Sequence, residues 1–151
     1  MKVTVLLRND HQALKSLFAK YKTIGARNQN GKKELFGDIR REIMLHSQME
    51  SEIFYPALTS TTSAVAEQLV SSALEEHETV EKLLDELNEM NAQDRNFDTK
   101  LTDLFDQVDR HIEKEEAEMF DEARQNLTEH RLEELGLEME DRRKILTQLA
   151  A

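Results

Sequence analysis

Residues 33–58 read KELFGDIRREIMLHSQMESEIFYPAL, and their apolar side chains recur at alternating steps of three and four. This period is typical of a helix that buries one face. His46 and Glu50 occupy two positions of that face, one helical turn apart. The buried stripe consists of Phe36, Ile39, Ile43, His46, Glu50, Ile53 and Ala57. The stretch therefore predicts a long buried helix that carries a histidine and a carboxylate into the core.

Three other long stretches have the same helical period, and a shorter, weakly amphipathic one follows them. The four long helices are predicted at Val3–Ile24, Lys33–Leu58, Val65–Met90 and Thr99–Asn126. Turn-forming residues 25–31 separate the first two helices, and Asp98 is the predicted N-cap of the fourth. Thr128 is the predicted cap of a last helix that reaches Ala150.

Helices of similar length with short connections favour an all-α, up-down-up-down four-helix bundle. We assign residues 1–127 to this bundle and residues 128–151 to a C-terminal helix that packs on its outside. A length of 151 residues suits a single domain with one sizeable core.

Composition excludes several classes of function. The formal net charge of −11 argues against nucleic acid and against an acidic membrane surface as partners. The sequence has no cysteine, which excludes disulfides, thiolate catalysis and iron–sulfur clusters. No apolar stretch comes close to the length of about 20 residues that a helix needs to span a bilayer. We expect a cytoplasmic protein that is a monomer or a weak homodimer.

Each long helix carries one histidine near its middle, on its inward stripe, so that all four can meet at one level of the bundle. A single buried histidine is usually a hydrogen-bonded core residue, but here four consecutive helices repeat the placement. Two glutamates follow their histidines by one turn and also point inward, where an unpaired charge costs several kcal/mol. The residues concerned are His11, His46, Glu50, His77, His111 and Glu115. The pattern therefore predicts a metal site.

The donor types limit the metal. Imidazole with carboxylate suits iron, and zinc or manganese as substitutes, while the lack of thiolate argues against a purely structural zinc. Four histidines and two glutamates can hold two ions, with both carboxylates bridging. Octahedral iron would keep positions for a bridging oxo or hydroxo group and for a small molecule such as dioxygen, peroxide or nitric oxide.

The motifs around these residues resemble those of the bacterial haemerythrin-like, HHE cation-binding domains from about Leu6 to Met139. They read NDH at residues 9–11, HSQMESEIFYP at 46–56, EHE at 76–78 and HIEKEEAEMF at 111–120. The resemblance implies a four-helix bundle around a non-haem di-iron centre. The ligands that it implies are His11, His46, Glu50, His77, His111 and Glu115.

The sequence departs from the oxygen-carrying haemerythrins at two positions. Those proteins have a second histidine on the third helix, where this chain has Glu81. They also have an aspartate five residues after the histidine of the fourth helix, whereas the fourth helix of this chain offers Glu115 instead. The departure favours sensing, peroxide handling, protection against nitric oxide or iron handling over reversible oxygen carriage. Catalase-like activity stays open, and no catalytic residue is assigned. Glu81 is interpreted either as a seventh ligand or as a water-facing carboxylate.

Two other interpretations compete with this one. A ferritin-like di-iron enzyme would need Glu-x-x-His pairs, and no glutamate stands three residues before any histidine here. A phosphotransfer bundle with His11 as phosphoacceptor remains an alternative, although it leaves three inward histidines unexplained. Asp10 is interpreted either as an outer partner of a histidine or as a helix-surface residue. Glu52, Glu116 and Glu118 are interpreted as solvated carboxylates or as outer partners that orient an imidazole. His130 is interpreted as a surface residue.

Overall fold

The computed structural model describes residues 1–24 and 29–150. The elements in these two ranges are all helical. In chain order they are α1 (Val3–Ile24), α2 (Gln29–Met49), π1 (Glu50–Phe54), α3 (Tyr55–Thr59), α4 (Ala64–Glu89), α5 (Arg95–Lys114), π2 (Glu115–Met119), α6 (Phe120–Asn126) and α7 (Glu129–Ala150).

These elements form the predicted four-helix bundle with a fifth helix against it. The bundle consists of four long helical units, which we call rods. Helix α1 is the first rod, and α4 is the third. The second rod consists of α2, π1 and α3, and the fourth consists of α5, π2 and α6. Helix α1 packs on α2, α4 packs on α5, and α7 packs on α1, α2 and π1. The all-α prediction is confirmed, whereas the division at residue 127 stays a prediction. None of the described helices is long and apolar enough to cross a membrane.

The second and fourth rods each contain one π-helical turn, which the helical period of the sequence does not predict. The N–H of Tyr55 donates to the carbonyl of Glu50, five residues earlier. The N–H of Phe120 donates in the same way to the carbonyl of Glu115. Each wide turn therefore starts at the glutamate of a His-x-x-x-Glu pair. Such turns inside α-helices frequently mark functional sites.

The ends of three helices show where sequence reasoning succeeded and where it failed. Thr128 caps α7, because its Oγ1 accepts a hydrogen bond of 3.0 Å from the N–H of Arg131. Asp94, rather than the predicted Asp98, caps α5 by accepting from the N–H of Asn96 at 2.9 Å. The second helix already begins at Gln29, inside the predicted loop, and residues 25–28 of that loop lie outside the described residues.

Apolar side chains form two separate core clusters, and the predicted metal residues lie between them. Phe54, Met119 and Leu132 belong to the cluster that includes α7. Leu14 and Phe105 belong to the other cluster, toward the opposite end of the bundle. These polar residues interrupt the apolar core at one level of the bundle. This is the level at which the four helix-centre histidines were expected to meet.

Candidate metal centre

The structure brings all six predicted residues together at that level. Five of them are buried although they are polar, and the sixth, His77, is partly buried. Each of the six residues lies on the rod that the sequence predicted for it. The buried five are His11, His46, Glu50, His111 and Glu115.

One group of donor atoms lies between the first, second and fourth rods. The Nε2 atom of His11 is 3.2 Å from Oε1 of Glu115. The Nε2 atom of His46 is 3.2 Å from Oε1 of Glu50. One donor atom from each of these four residues lies within 4.8 Å of the others. This spacing is compact enough for all four to contact a single ion.

A second group lies beside the first and shares a residue with it. Glu50, His77 and His111 also place one donor atom each within 4.8 Å of one another. The Nε2 atom of His77 is 3.3 Å from Oε1 of Glu50 and 3.3 Å from Nε2 of His111. Glu50 therefore belongs to both groups of donors.

Glu115 also faces both groups, through its two different oxygen atoms. Oε1 lies near His11, whereas Oε2 is 3.3 Å from Nε2 of His111. The two glutamates that open the π turns are thus the residues that join the two groups. One oxygen atom of Glu115 therefore faces each group of donors.

Unsatisfied atoms at the centre test whether the residues fit a metal. Five polar atoms at the centre are buried and have no hydrogen-bond partner among the described residues. They are the Nε2 atoms of His11 and His46, both carboxylate oxygens of Glu50, and Oε1 of Glu115. Buried polar atoms are almost always paired, because leaving one unpaired costs about 1–3 kcal/mol. Atoms that approach to about 3 Å without forming hydrogen bonds converge as ligands around a cation do. The residues present therefore fit a metal ion.

Outer carboxylates hold three of the four imidazoles through their other nitrogen. The Nδ1 atom of His11 is 2.7 Å from Glu116. The Nδ1 atom of His46 is 3.1 Å from Asp10. The Nδ1 atom of His111 is 3.2 Å from Glu76. A carboxylate at Nδ1 fixes the ring orientation and leaves Nε2 free for a metal.

Tyr55 supplies a neutral donor to the centre, a role that its interpretation as a core residue did not reveal. Its hydroxyl donates to Oε2 of Glu115 at 2.8 Å and is 3.2 Å from Nε2 of His77. Burial and the carboxylates of Glu50 and Glu115 raise the pKa of Tyr55 well above its usual value. The phenol therefore keeps its proton at neutral pH.

The ionisable groups at the centre form a network of opposite charges. Burial by itself would lower the pKa of His46, but Glu50 and Asp10 raise it to about 10. Burial likewise opposes protonation of His111, yet the neighbouring carboxylates of Glu115, Glu50 and Glu76 raise its pKa to about 12. Glu50 has its pKa held well below the usual range by these imidazoles despite its burial. A metal ion that binds here replaces protons as the counter-charge to the carboxylates.

Neither group of donors includes Glu81, His130 or Glu52. Glu81 is exposed and lines a cavity of about 240 Å³ beside His77, without joining either group of donors among the described residues. His130 has a side chain that is 84% exposed, so the interpretation as a surface residue agrees with its position. Glu52 pairs with Arg142 on α7.

Comparisons with known proteins agree with this geometry. The model of the Hemerythrin HHE cation binding domain family matches residues 3–123. The crystal structure of a hemerythrin HHE cation binding domain-containing protein from Mycobacterium kansasii aligns with a TM-score of 0.78 at 22% identity, over 100% of this chain and 93% of that one. At this identity the likeness shows the fold alone.

A curated relative, a DNA nickase from Nostoc sp. (strain PCC 7120), is 24% identical over 138 residues. The match covers 91% of this chain but only 38% of the relative. The family model, in contrast, spans most of this chain and includes all six clustered residues. With its buried cluster of imidazoles and carboxylates, the chain belongs to the hemerythrin HHE cation-binding family and is a metal-binding protein.

Proposed function

We propose that this protein holds two iron ions and uses them to bind or transform a small molecule such as dioxygen, peroxide or nitric oxide. The observation that carries the proposal is the pair of donor groups that share Glu50. The proposed ligands are His11, His46, Glu50, His77, His111 and Glu115.

The donor set supports iron and an incomplete ligand shell. Imidazole and carboxylate together suit iron, and also zinc or manganese. The first group offers four protein residues and the second offers three, with Oε2 of Glu115 near the second. Octahedral ions would therefore have positions that protein atoms do not fill. An iron ion with such open coordination positions would supply redox chemistry with oxygen species or nitric oxide.

The space beside the second group limits the size of the small molecule. A cavity of about 20 Å³ borders His46, Glu50, His77 and His111, and its other walls include apolar side chains such as Val80. A volume of this size holds roughly one water-sized molecule. The apolar walls disfavour a charged substrate. The cavity thus suits a neutral molecule of two to four atoms.

A wider cavity lies next to this inner space and shares part of its lining. It has a volume of about 240 Å³ and lies between α2 and α4, where Ser47, Gln48, Ser51 and Glu81 contribute polar groups. Ile43, Ser47, His77 and Val80 border both cavities. A small molecule can therefore approach the His77 side of the centre from this face.

The protein residues have distinct tasks in the proposed activity. Asp10, Glu76 and Glu116 hold three imidazoles in the orientation in which Nε2 faces inward. The hydroxyl of Tyr55 keeps a proton within hydrogen-bond distance of Glu115 and steadies that carboxylate.

Metal analysis tests the proposal directly. Protein from iron-supplied cells should contain about two irons per chain and should show near-ultraviolet charge-transfer absorption. Combined His46→Ala and His111→Ala substitutions should remove both properties, because each donor group loses an imidazole. His130→Ala is the matched control, since that side chain is exposed on α7. Iron content that is unchanged in the double variant would refute the site.

Steady-state consumption of peroxide by iron-loaded protein separates an enzyme from a binding protein. Turnover well above that of free iron would support catalase-like activity. Turnover equal to that of free iron, at full iron content, would exclude this activity and leave sensing or iron handling.

The alternative of phosphotransfer through His11 disagrees with the structure. His11 is 0% exposed, and its Nδ1 contacts Glu116, so a phosphodonor cannot reach it. The absence of nucleic-acid and membrane partners, the monomeric or weakly dimeric state and the cytoplasmic location stay predictions. The nickase activity named for the Nostoc relative is not carried over, because the net charge of −11 opposes DNA binding.

A further inference from the structure

An arginine on the C-terminal helix contacts one of the carboxylates that hold the metal-centre imidazoles. Nη2 of Arg143, on α7, is 2.5 Å from Oδ1 of Asp10. The other oxygen of Asp10, Oδ2, is 3.1 Å from Nδ1 of His46. A continuous chain of polar contacts therefore runs from α7 through Asp10 to the buried centre.

A second contact orients the guanidinium of Arg143. Nη1 donates to Oε1 of Glu42 at 3.4 Å. Glu42 precedes His46 by one turn of α2, and Asp10 lies on α1. The planar, forked guanidinium thus joins α7 to the two helices that carry His11 and His46. Arginine suits this role because its donors have a fixed geometry.

From this geometry we infer that Arg143 is a positioning residue, which holds the imidazole of His46 in its inward orientation through Asp10. The expected consequence is tighter retention of the ion between His11 and His46. This consequence rests on the proposed function, which the inference deepens. Arg143 lies beyond residues 3–123, the segment that the family model matches.

The position of α7 allows this contact to be specific. Gly136 of α7 lies against the backbone of Met1, and a Cβ atom there would meet the carbonyl oxygen of Met1 at 1.9 Å. Leu132, Leu135 and Met139 of α7 are buried in the apolar cluster beside the centre. Packing therefore holds α7 in place independently of Arg143, so that loss of this one side chain need not detach the helix.

The neighbouring residue provides a matched control. Arg142 pairs with Glu52 at 3.4 Å, and the two side chains are 45% and 35% exposed. Arg142→Ala and Arg143→Ala each remove one cation and one ion-paired guanidinium from the same turn. Only Arg143 connects through its partner to a centre imidazole. A difference between the two variants therefore reports the Asp10 contact and not a general change of charge.

The first experiment follows iron release to a chelator from reduced, iron-loaded protein. We expect Arg143→Ala to accelerate one of two release phases by about tenfold, because loss of an outer partner of a ligand typically weakens metal binding by 10–100-fold. Arg142→Ala should leave both phases unchanged, and Arg143→Lys should restore part of the difference. Equal rates in the two alanine variants would overturn the inference, as would equal acceleration of both phases.

A metal-free measurement separates this inference from the proposed function. The ¹⁵N resonances of the His46 ring should shift in Arg143→Ala but not in Arg142→Ala. In an Asp10→Asn background, Arg143→Ala should add no further shift, since the connecting carboxylate is gone. Wild-type protein that binds no iron pair would refute the proposed function, and these resonances would still decide the role of Arg143. Additive shifts in the double variant would refute that role.

Discussion

The two groups of donors, which we call the two halves of the candidate metal centre, differ in how completely the protein encloses them. In the half formed around His11 and His46, these side chains are 0% and 6% exposed. In the half formed around His77 and His111, the corresponding values are 14% and 10%. Only the second half adjoins the cavity of about 240 Å³ between α2 and α4. Under the proposed function, we therefore expect the first half to retain its ion more tightly and the second to admit the small molecule.

The outer contacts follow the same division. Around the enclosed half, Asp10 is paired with Arg143 and Glu116 is paired with Arg8. On the more open half, Glu76 contacts Nδ1 of His111 and has a side chain that is 36% exposed. Because a carboxylate that is itself paired with an arginine moves less, we expect the imidazoles of the enclosed half to be held more firmly.

The largest effect should come from removing the residue that both halves share. Glu50→Gln keeps the side-chain volume but removes the bridging charge, so iron content should fall from about two ions per chain to fewer than one. Elemental analysis of the purified variant provides the measurement. Glu52→Gln is the control, because Glu52 lies in the same π turn and is exposed. Retention of both ions in Glu50→Gln would show that the halves do not depend on a common ligand.

Blocking the open half should affect access without affecting iron content. Ser47 borders both the outer and the inner cavity, so Ser47→Phe should narrow the connection between them. We expect the rate of nitric oxide binding to fall about tenfold, equivalent to about 1.4 kcal/mol in the barrier. Stopped-flow absorption measures this rate, with the exposed Ser71→Phe on α4 as the control. An unchanged rate at full iron content would place the route elsewhere.

A third test concerns the stability of the centre without metal. Tyr55→Phe leaves Oε2 of the buried Glu115 without its 2.8 Å donor, which should lower the free energy of unfolding of metal-free protein by about 1–3 kcal/mol. Tyr21→Phe removes a similar 3.0 Å bond to Asp98, whose side chain is 56% exposed. Water can replace that bond, so a smaller loss is expected. Equal losses in urea titrations would argue against a special role of Tyr55.

The smallest effect should follow from Glu81→Gln. Glu81 is exposed at the outer cavity and belongs to neither donor group, so iron content and absorption should stay unchanged. Elemental analysis and the optical spectrum provide the check, beside Glu78→Gln as an exposed control on the same helix. Loss of one iron in Glu81→Gln alone would make Glu81 a seventh ligand and would close the open half.

Much of the centre was predictable because helical period places side chains on a face. The stripe from Phe36 to Ala57 is buried as predicted, including His46 and Glu50. The two π turns were not predictable, since no residue type signals the wide hydrogen bond that starts at Glu50 or Glu115. The cap at Asp94 was missed because several acidic residues near the start of α5 are equally good caps in sequence.

Sequence reasoning predicted only some of the residues that contact the histidines from outside the buried stripes. Asp10 and Glu116 adjoin predicted ligands in sequence, and the structure places both against imidazoles. Arg143 has no such signal, because it is 97 residues from His46 and lies on a weakly amphipathic helix. Contacts of this kind depend on how helices dock and not on spacing along one helix.

By itself, the sequence determined that four helices each carry an inward histidine and that two carboxylates accompany them, because these facts depend on local period alone. Tertiary structure decided which donors form each half, that Glu50 and Glu115 face both, and that one half is enclosed while the other adjoins a cavity. Those properties depend on the rotation and docking of helices against one another. Local sequence patterns constrain such docking only weakly.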